Sequence, residues 1–205
     1  MGGCGNSKQT EKKNPRMGLI ESTGDRELKL KLCMSGEVAV GKSLFYHTYF
    51  GTTSKFNNAS TQGSGDNNCK KVDLPGVGPV LVSIWDTAGQ ERYASITKIF
   101  FKGSDGIIIL FDVTSETSFK RVESYWLQEL SKELDLSNIT VCLVANKIDL
   151  PNRAVTTEEG EAFAKKHNLL YREASALQGK GVVEAVSALV EAVCKKKKSG
   201  QASIS

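Results

Sequence analysis

Strand patterns recur at 28–35, 68–74, 79–85, 106–113, 139–145 and 169–173, with helical patterns between most of them. Gly106-Ile107-Ile108-Ile109-Leu110-Phe111 is apolar throughout, as a strand covered on both faces must be. Pro75-Gly76, between two of the strand patterns, marks a hairpin turn. The aromatic-rich stretch Leu44 to Phe50 predicts a short helix, and Thr156-Thr157-Glu158-Glu159 reads as a capping box opening another. Val182, Val186, Leu189, Val190 and Val193 recur at helical spacing and predict a last helix with one buried face. Tyr125 and Trp126 fall inside a helical pattern and read as packing residues; His47 and His167 receive no role. Strands alternating with helices predict an α/β fold, a doubly wound and mostly parallel six-stranded sheet. In such a sheet a ligand sits at the carboxyl ends of the strands.

The first strand leads into Gly36-Glu37-Val38-Ala39-Val40-Gly41-Lys42-Ser43. This is a phosphate-binding loop in the strand–loop–helix setting that gives the pattern its meaning. Glycines let successive N–H groups curl toward phosphate oxygens, and the following helix adds its positive end. Lys42 would reach the terminal phosphates, and the Ser43 hydroxyl would ligate magnesium. The bland alternative is a glycine-containing turn beside a solvated lysine. The loop by itself leaves a kinase, an ATPase and a GTPase open.

Two further segments separate these. Asp86-Thr87-Ala88-Gly89-Gln90-Glu91 follows the apolar run Val80 to Trp85. A carboxylate at that strand end, Asp86, can hold magnesium, the Gly89 N–H can touch a γ-phosphate, and Gln90 can orient a water for in-line attack. Asn146-Lys147-Ile148-Asp149 follows a second apolar strand. Asp149 can accept from both the ring N–H and the amino group of guanine, whereas adenine would leave that carboxylate unpaired. Asn146 supports the loop and the base edge. In Glu173-Ala174-Ser175-Ala176 the Ala176 N–H is placed to meet the guanine oxygen, with Ser175 beside it.

These motifs, in this order, resemble the Ras superfamily of small GTPases and within it the Rab family. The stretch Trp85 to Tyr93 is especially Rab-like, and the resemblance spans roughly Glu27 to Cys194. It implies a GTPase G domain binding GTP or GDP with Mg²⁺. It also implies an exchange factor, a GTPase-activating protein and effectors as partners, and slow unassisted hydrolysis. Thr61 falls where the family's magnesium- and γ-phosphate-binding threonine stands, so Ser43, Thr61 and Asp86 form the implied metal set. The implied catalytic set is Gln90, Lys42 and Thr61.

Composition agrees. A chain of 205 residues with 40% apolar residues suits one domain with short tails. Its net charge of +4 gives no sign of a nucleic-acid binder. Five scattered cysteines form no disulfide pattern, and Cys33 and Cys142 lie in strands as buried thiols. No apolar run is long enough to span a bilayer, and no secretory signal is visible, so a reducing, cytosol-facing setting is expected. The chain divides into an arm at 1–26, a G domain at 27–194 and a basic, polar tail at 195–205.

Departures from the family pattern carry the individual information. Ras has glycine where Val38 stands, and Rabs usually have a small residue. A branched side chain here projects toward the γ-phosphate and can exclude an arginine finger, which is worth roughly 10³ to 10⁵ in rate. Either hydrolysis is slow and poorly stimulated, giving a GTP-loaded membrane scaffold, or the loop shifts and tolerates valine. The first switch is polar, with Asp66 where Rabs place an effector-binding phenylalanine. Of that aromatic triad, Trp85 is present and Phe101 is the candidate second member. Ser54 replaces the aromatic that stacks on guanine, with Phe56 two residues away.

The ends depart as well. No cysteine lies near enough to the carboxyl end for prenylation; the sequence begins Met1-Gly2-Gly3-Cys4. Gly2 is a candidate for myristoylation and Cys4 for palmitoylation, although Asn6 stands at the usual serine or threonine position. A minority of Rabs, grouped with the endosomal branch, are acylated this way. One myristoyl chain binds reversibly, at about 10⁴ M⁻¹, and a second makes attachment lasting. Lys8, Lys12, Lys13 and Arg16 can assist on an anionic leaflet, and residues 1 to 25 read as a flexible tether. Lys195-Lys196-Lys197-Lys198 can assist likewise or be simply solvated. The expectation is therefore a lipid-anchored switch in vesicular traffic, with endosomal traffic the finer expectation, on the cytoplasmic face of an endomembrane or the plasma membrane. An Arf-like GTPase fits the Asp86-Thr87-Ala88-Gly89 motif less well, and a kinase is disfavoured by Asn146-Lys147-Ile148-Asp149.

Overall fold

The structure, a computed structural model, describes residues 28–53, 69–86 and 101–202, without side chains at 200–202. Elements are numbered along these residues. The strands are β1 (Leu28–Gly36), β2 (Cys69–Leu74), β3 (Gly78–Trp85), β4 (Gly106–Asp112), β5 (Thr140–Asn146) and β6 (Leu170–Ala174). The helices are α1 (Lys42–Phe50), α2 (Glu116–Arg121), α3 (Leu127–Glu133), α4 (Thr157–Lys166) and α5 (Val182–Ala202). One π turn, Val122–Trp126, joins α2 to α3.

The strands form one sheet in the order β2-β3-β1-β4-β5-β6. Only β2 is antiparallel, joined to β3 by the turn at Pro75-Gly76. The order reverses at β1, which is the switch point where such sheets bind ligands. Register aligns Asp112 with Asn146 and Asn146 with Ala174, so three site-forming loops leave the sheet side by side.

Alternation along the strands divides the core between two faces. Ile108 and Leu110 of β4 join Leu30, Leu32, Phe45, Tyr49 and the α5 face. Ile107, Ile109 and Phe111 join Trp126, Leu130, Leu143 and Ala164 on the other. The five apolar α5 residues named from helical spacing are all buried, each worth roughly 1.5–3 kcal/mol. Helix α4 starts at the capping box: Thr156 Oγ1 accepts from Glu159 N–H, and Glu159 Oε2 accepts from Thr156 N–H. Cys142 is fully buried, which pushes its thiol up to about 12 and leaves it inert.

Helix α5 does not stop at the valine face but continues through the lysine run to Ala202. Lys196 Nζ donates to the Ser137 carbonyl at 2.6 Å, Lys197 pairs with Asp105 at 2.6 Å, and Lys198 Nζ donates to the Gly76 carbonyl at 2.8 Å. These bonds dock the helix end on three neighbouring loops. Among the described residues no helix is long and apolar enough to cross a membrane.

Candidate functional site

The loop after β1 is built around a buried lysine. Lys42 is 4% exposed, and its Nζ donates to the carbonyls of Gly36 at 2.8 Å and Glu37 at 2.7 Å. This fixes an ammonium inside a curled backbone at the start of α1, with Ser43 next to it in the first turn. Gly41 has φ +99°, and a Cβ there would lie 2.5 Å from Asn146 Nδ2, so only glycine lets the asparagine cross the loop. Ala39 takes a left-handed φ of 63° without being glycine. Lys147, at φ 68°, does the same in the second site loop. Two of the three non-glycine residues described with a left-handed φ thus lie in these two loops.

Asn146 is the joint of the site. It is buried at 1% exposure, and its Nδ2 donates to the Val40 carbonyl at 2.8 Å. Its Oδ1 accepts from the Ala176 N–H at 3.0 Å. One side chain thus ties the phosphate loop to the loop after β6. The Ala176 N–H, expected to meet a guanine oxygen, is here bonded to Asn146 and would have to be shared. Asp149 Oδ1 accepts from the buried Ser175 hydroxyl, which itself accepts from the Gln178 N–H at 3.0 Å. Lys147 Nζ pairs with Asp112 Oδ2 at 2.7 Å, while Asp112 Oδ1 accepts from the Thr114 N–H and hydroxyl. Burial raises the Asp112 carboxyl, but these hydrogen bonds and the lysine charge outweigh it and hold it below the usual carboxylate range.

A second network lies beneath the base loops. Glu173 Oε1 accepts from both terminal nitrogens of Arg153 at 2.9 Å, from Thr157 at 2.8 Å and from Tyr171 at 2.9 Å. Burial raises the Glu173 carboxyl, and the bonds from Thr157, Arg153 and Tyr171 bring it below its ordinary value. Arg153 follows the 146–149 loop and Glu173 precedes the 174–176 loop, so this bond sets their spacing.

Val38 is 56% exposed, so it is not packed into the core. Its neighbour Glu37 pairs with Arg121 at 3.3 Å, and the Arg121 guanidinium stacks over Tyr125 at 4.5 Å. Asp86 directly follows β3, which is paired with the loop-bearing β1. Ser43 and Asp86 are hard oxygen donors, the type Mg²⁺ takes. Among the described residues no group of three or more His, Cys, Asp or Glu could hold a metal alone. Thr61, Gly89, Gln90, Gly2 and Cys4 lie outside the described residues, as do Ser54, Phe56 and Asp66.

One expectation is corrected. Phe101 cannot serve as an exposed effector-binding aromatic, because it is 1% exposed and packed in the core with Cys33 and Trp126. Its ring carries no polar group that would hold it at the surface. Trp85 is half-buried, with the Lys31 ammonium 5.0 Å from its ring centroid. Missing from the sequence reading were Asp112, Arg153, Arg121 and Thr48, whose Oγ1 donates to the Ala176 carbonyl at 2.7 Å. Asp112, at a strand end beside two site loops, carried a usable signal; the others have partners remote in sequence.

A sequence model of the Ras family matches residues 31–195. The chain is similar to the Ras-related protein Rab-18 of Caenorhabditis elegans, 40% identical over 164 residues, which is 80% of this chain and 79% of that protein. It is 38% identical to Rab-18-B of Danio rerio over 164 residues, 80% of this chain and 78% of that protein. The GTP-binding protein ypt3 of Schizosaccharomyces pombe is 40% identical over 156 residues, 76% of this chain and 71% of that protein.

Proposed function

The chain belongs to the Rab group of the Ras family of small GTPases, and from that premise we propose that it is a membrane-recruited GTP switch of vesicular traffic. The observation that carries the reading is Asn146, which joins the phosphate loop and the base loop through two buried hydrogen bonds. A nucleotide with a guanine at one end and phosphates at the other spans those two loops. Asp149 accepts from the ring N–H and amino group of the base, and Ala176 donates to its oxygen. Lys42 and the N–H groups of Gly36 to Ser43 surround the phosphates.

Ser43, Thr61 and Asp86 supply the oxygens that hold Mg²⁺, which when bound neutralises charge on the phosphates. Gln90 orients the attacking water, and Lys42 stays on the phosphate oxygens as charge moves to the leaving group. Thr61 and Gly89 hold the two switch segments in an effector-binding form until the γ-phosphate leaves. Unassisted turnover is slow, as timing requires. An exchange factor and an activating protein drive the cycle. Gly2 and Cys4 carry acyl chains that hold the protein on the cytosolic leaflet of an endomembrane, with an endosomal one the finer assignment.

A second reading rests on Val38. A branched side chain, unpacked at the phosphate loop, would block an incoming arginine and leave a GTP-loaded scaffold that recruits partners without cycling. Single-turnover hydrolysis of preloaded GTP by wild type and Val38→Ser decides between the two. Equal slow rates support the cycling switch; hydrolysis by the variant alone supports the scaffold.

A further inference from the structure

Thr48 lies in α1, five residues beyond Ser43. A threonine in a helix commonly turns its hydroxyl back to the carbonyl of the preceding turn. Here the hydroxyl leaves the helix and donates at 2.7 Å to the carbonyl of Ala176, 128 residues away. Ala176 is therefore gripped on both sides: its N–H by Asn146 at 3.0 Å and its C=O by Thr48. Both peptide units flanking its Cα are fixed, and so is the direction of its N–H. Apolar packing does not hold the following residue, since Leu177 is 71% exposed. The rest of the loop closes on itself, with Ser175 N–H donating to the Lys180 carbonyl at 2.8 Å. Among the described residues, Asn146 holds the Ala176 N–H to β5, and Thr48 adds a second tie, from its C=O to α1.

We propose that Thr48 is a positioning residue for base selection. Its hydroxyl keeps the Ala176 main chain turned so that the N–H is shared between Asn146 Oδ1 and the 6-carbonyl oxygen of guanine. The inference rests on the reading above that the Ala176 N–H meets that oxygen. It adds a mechanical link: the helix whose first turn carries Lys42 and Ser43 also holds the base loop. Displacing α1 then loosens the phosphate and base ends together, giving whatever pulls on that helix a single handle for nucleotide release.

The test compares release of GDP with release of 2-aminopurine riboside diphosphate, which lacks both the 6-carbonyl and the ring N–H assigned to Asp149, in the full-length protein, each nucleotide being compared between wild type and variant. The variants are Thr48→Val, which keeps the shape without the hydroxyl, and Thr48→Ser, which keeps the hydroxyl. Thr48→Ala serves if valine is not accommodated beside Gly179. The loss of one ordinary hydrogen bond predicts that Thr48→Val releases GDP roughly 2- to 12-fold faster. Release of the analogue changes less than about 2-fold, and Thr48→Ser behaves as wild type, because only the carbonyl-bearing base senses the N–H. Unchanged GDP release in Thr48→Val, or equal acceleration for both nucleotides, overturns the proposal while leaving the base reading intact. If wild type releases both nucleotides at one rate, Ala176 does not read the carbonyl, and the base reading and this inference fall together.

Discussion

Replacing Asn146 by alanine perturbs the site at the point that joins its two halves. The side chain is buried, so water cannot take over its bonds. Truncation leaves the Val40 carbonyl and the Ala176 N–H without their partner. Each stranded buried group costs ~1–3 kcal/mol, and the two together ~2–6 kcal/mol. For a chain of 205 residues, where one kcal/mol shifts Tm by roughly 2–4 °C, the melting point falls by at least about 4 °C. Part of the loss should appear in nucleotide affinity, because both stranded groups lie in the loops proposed to bind the ligand. Urea unfolding at saturating and at limiting GDP separates the two contributions, since bound ligand adds stability by mass action. The expected outcome is a lower midpoint under both conditions and at least tenfold faster GDP release. A stability loss below about 1 kcal/mol with unaltered release would show that Asn146 is not the joint.

Other perturbations have equally definite outcomes. Asp112 and Glu173 both titrate below their ordinary values. Their contribution is complete above the unfolded carboxyl range near pH 4 and is lost as pH falls through the lower folded values. Tm should therefore decline below about pH 4.5, and Asp112→Asn with Glu173→Gln should flatten that decline; an unchanged pH profile in the double variant refutes the assignment. Gly2→Ala should move the protein from the membrane pellet to the soluble fraction on cell fractionation, and continued pelleting rules out the acyl anchor.

The fold was largely legible because its strands are either apolar throughout, as β4 is, or alternate between faces. The helix N-terminus at Thr156 was legible because a capping box is local, with both of its bonds closing within three residues. The phosphate and base loops were legible for the same reason: their chemistry is written in contiguous residues. What joins them was not. Thr48 and Ala176 are 128 residues apart, and Arg153 and Glu173 are 20 apart, with no pattern that pairs them before folding. Adjacency in an aromatic run could not say which ring faces out, and Phe101 turned inward. The lysine run at 195–198 looks like the start of a tail by charge, yet lysine is a good helix former and no breaker precedes Gly200. Helix α5 therefore runs on, and its lysines dock it.

Base discrimination tests the central claim most directly. The measurement is equilibrium binding of GTP and ATP, with Mg²⁺, to wild type and to Asp149→Asn, with xanthosine triphosphate as a third ligand. The account predicts that wild type binds GTP and rejects ATP by roughly 10⁴-fold, as a site whose carboxylate needs two N–H donors from the base must. It also predicts that the variant weakens for GTP and gains xanthosine triphosphate, whose added carbonyl accepts from the new amide. Comparable affinities for GTP and ATP in wild type would contradict the account, because Asp149 and the 174–176 loop would then not be reading guanine.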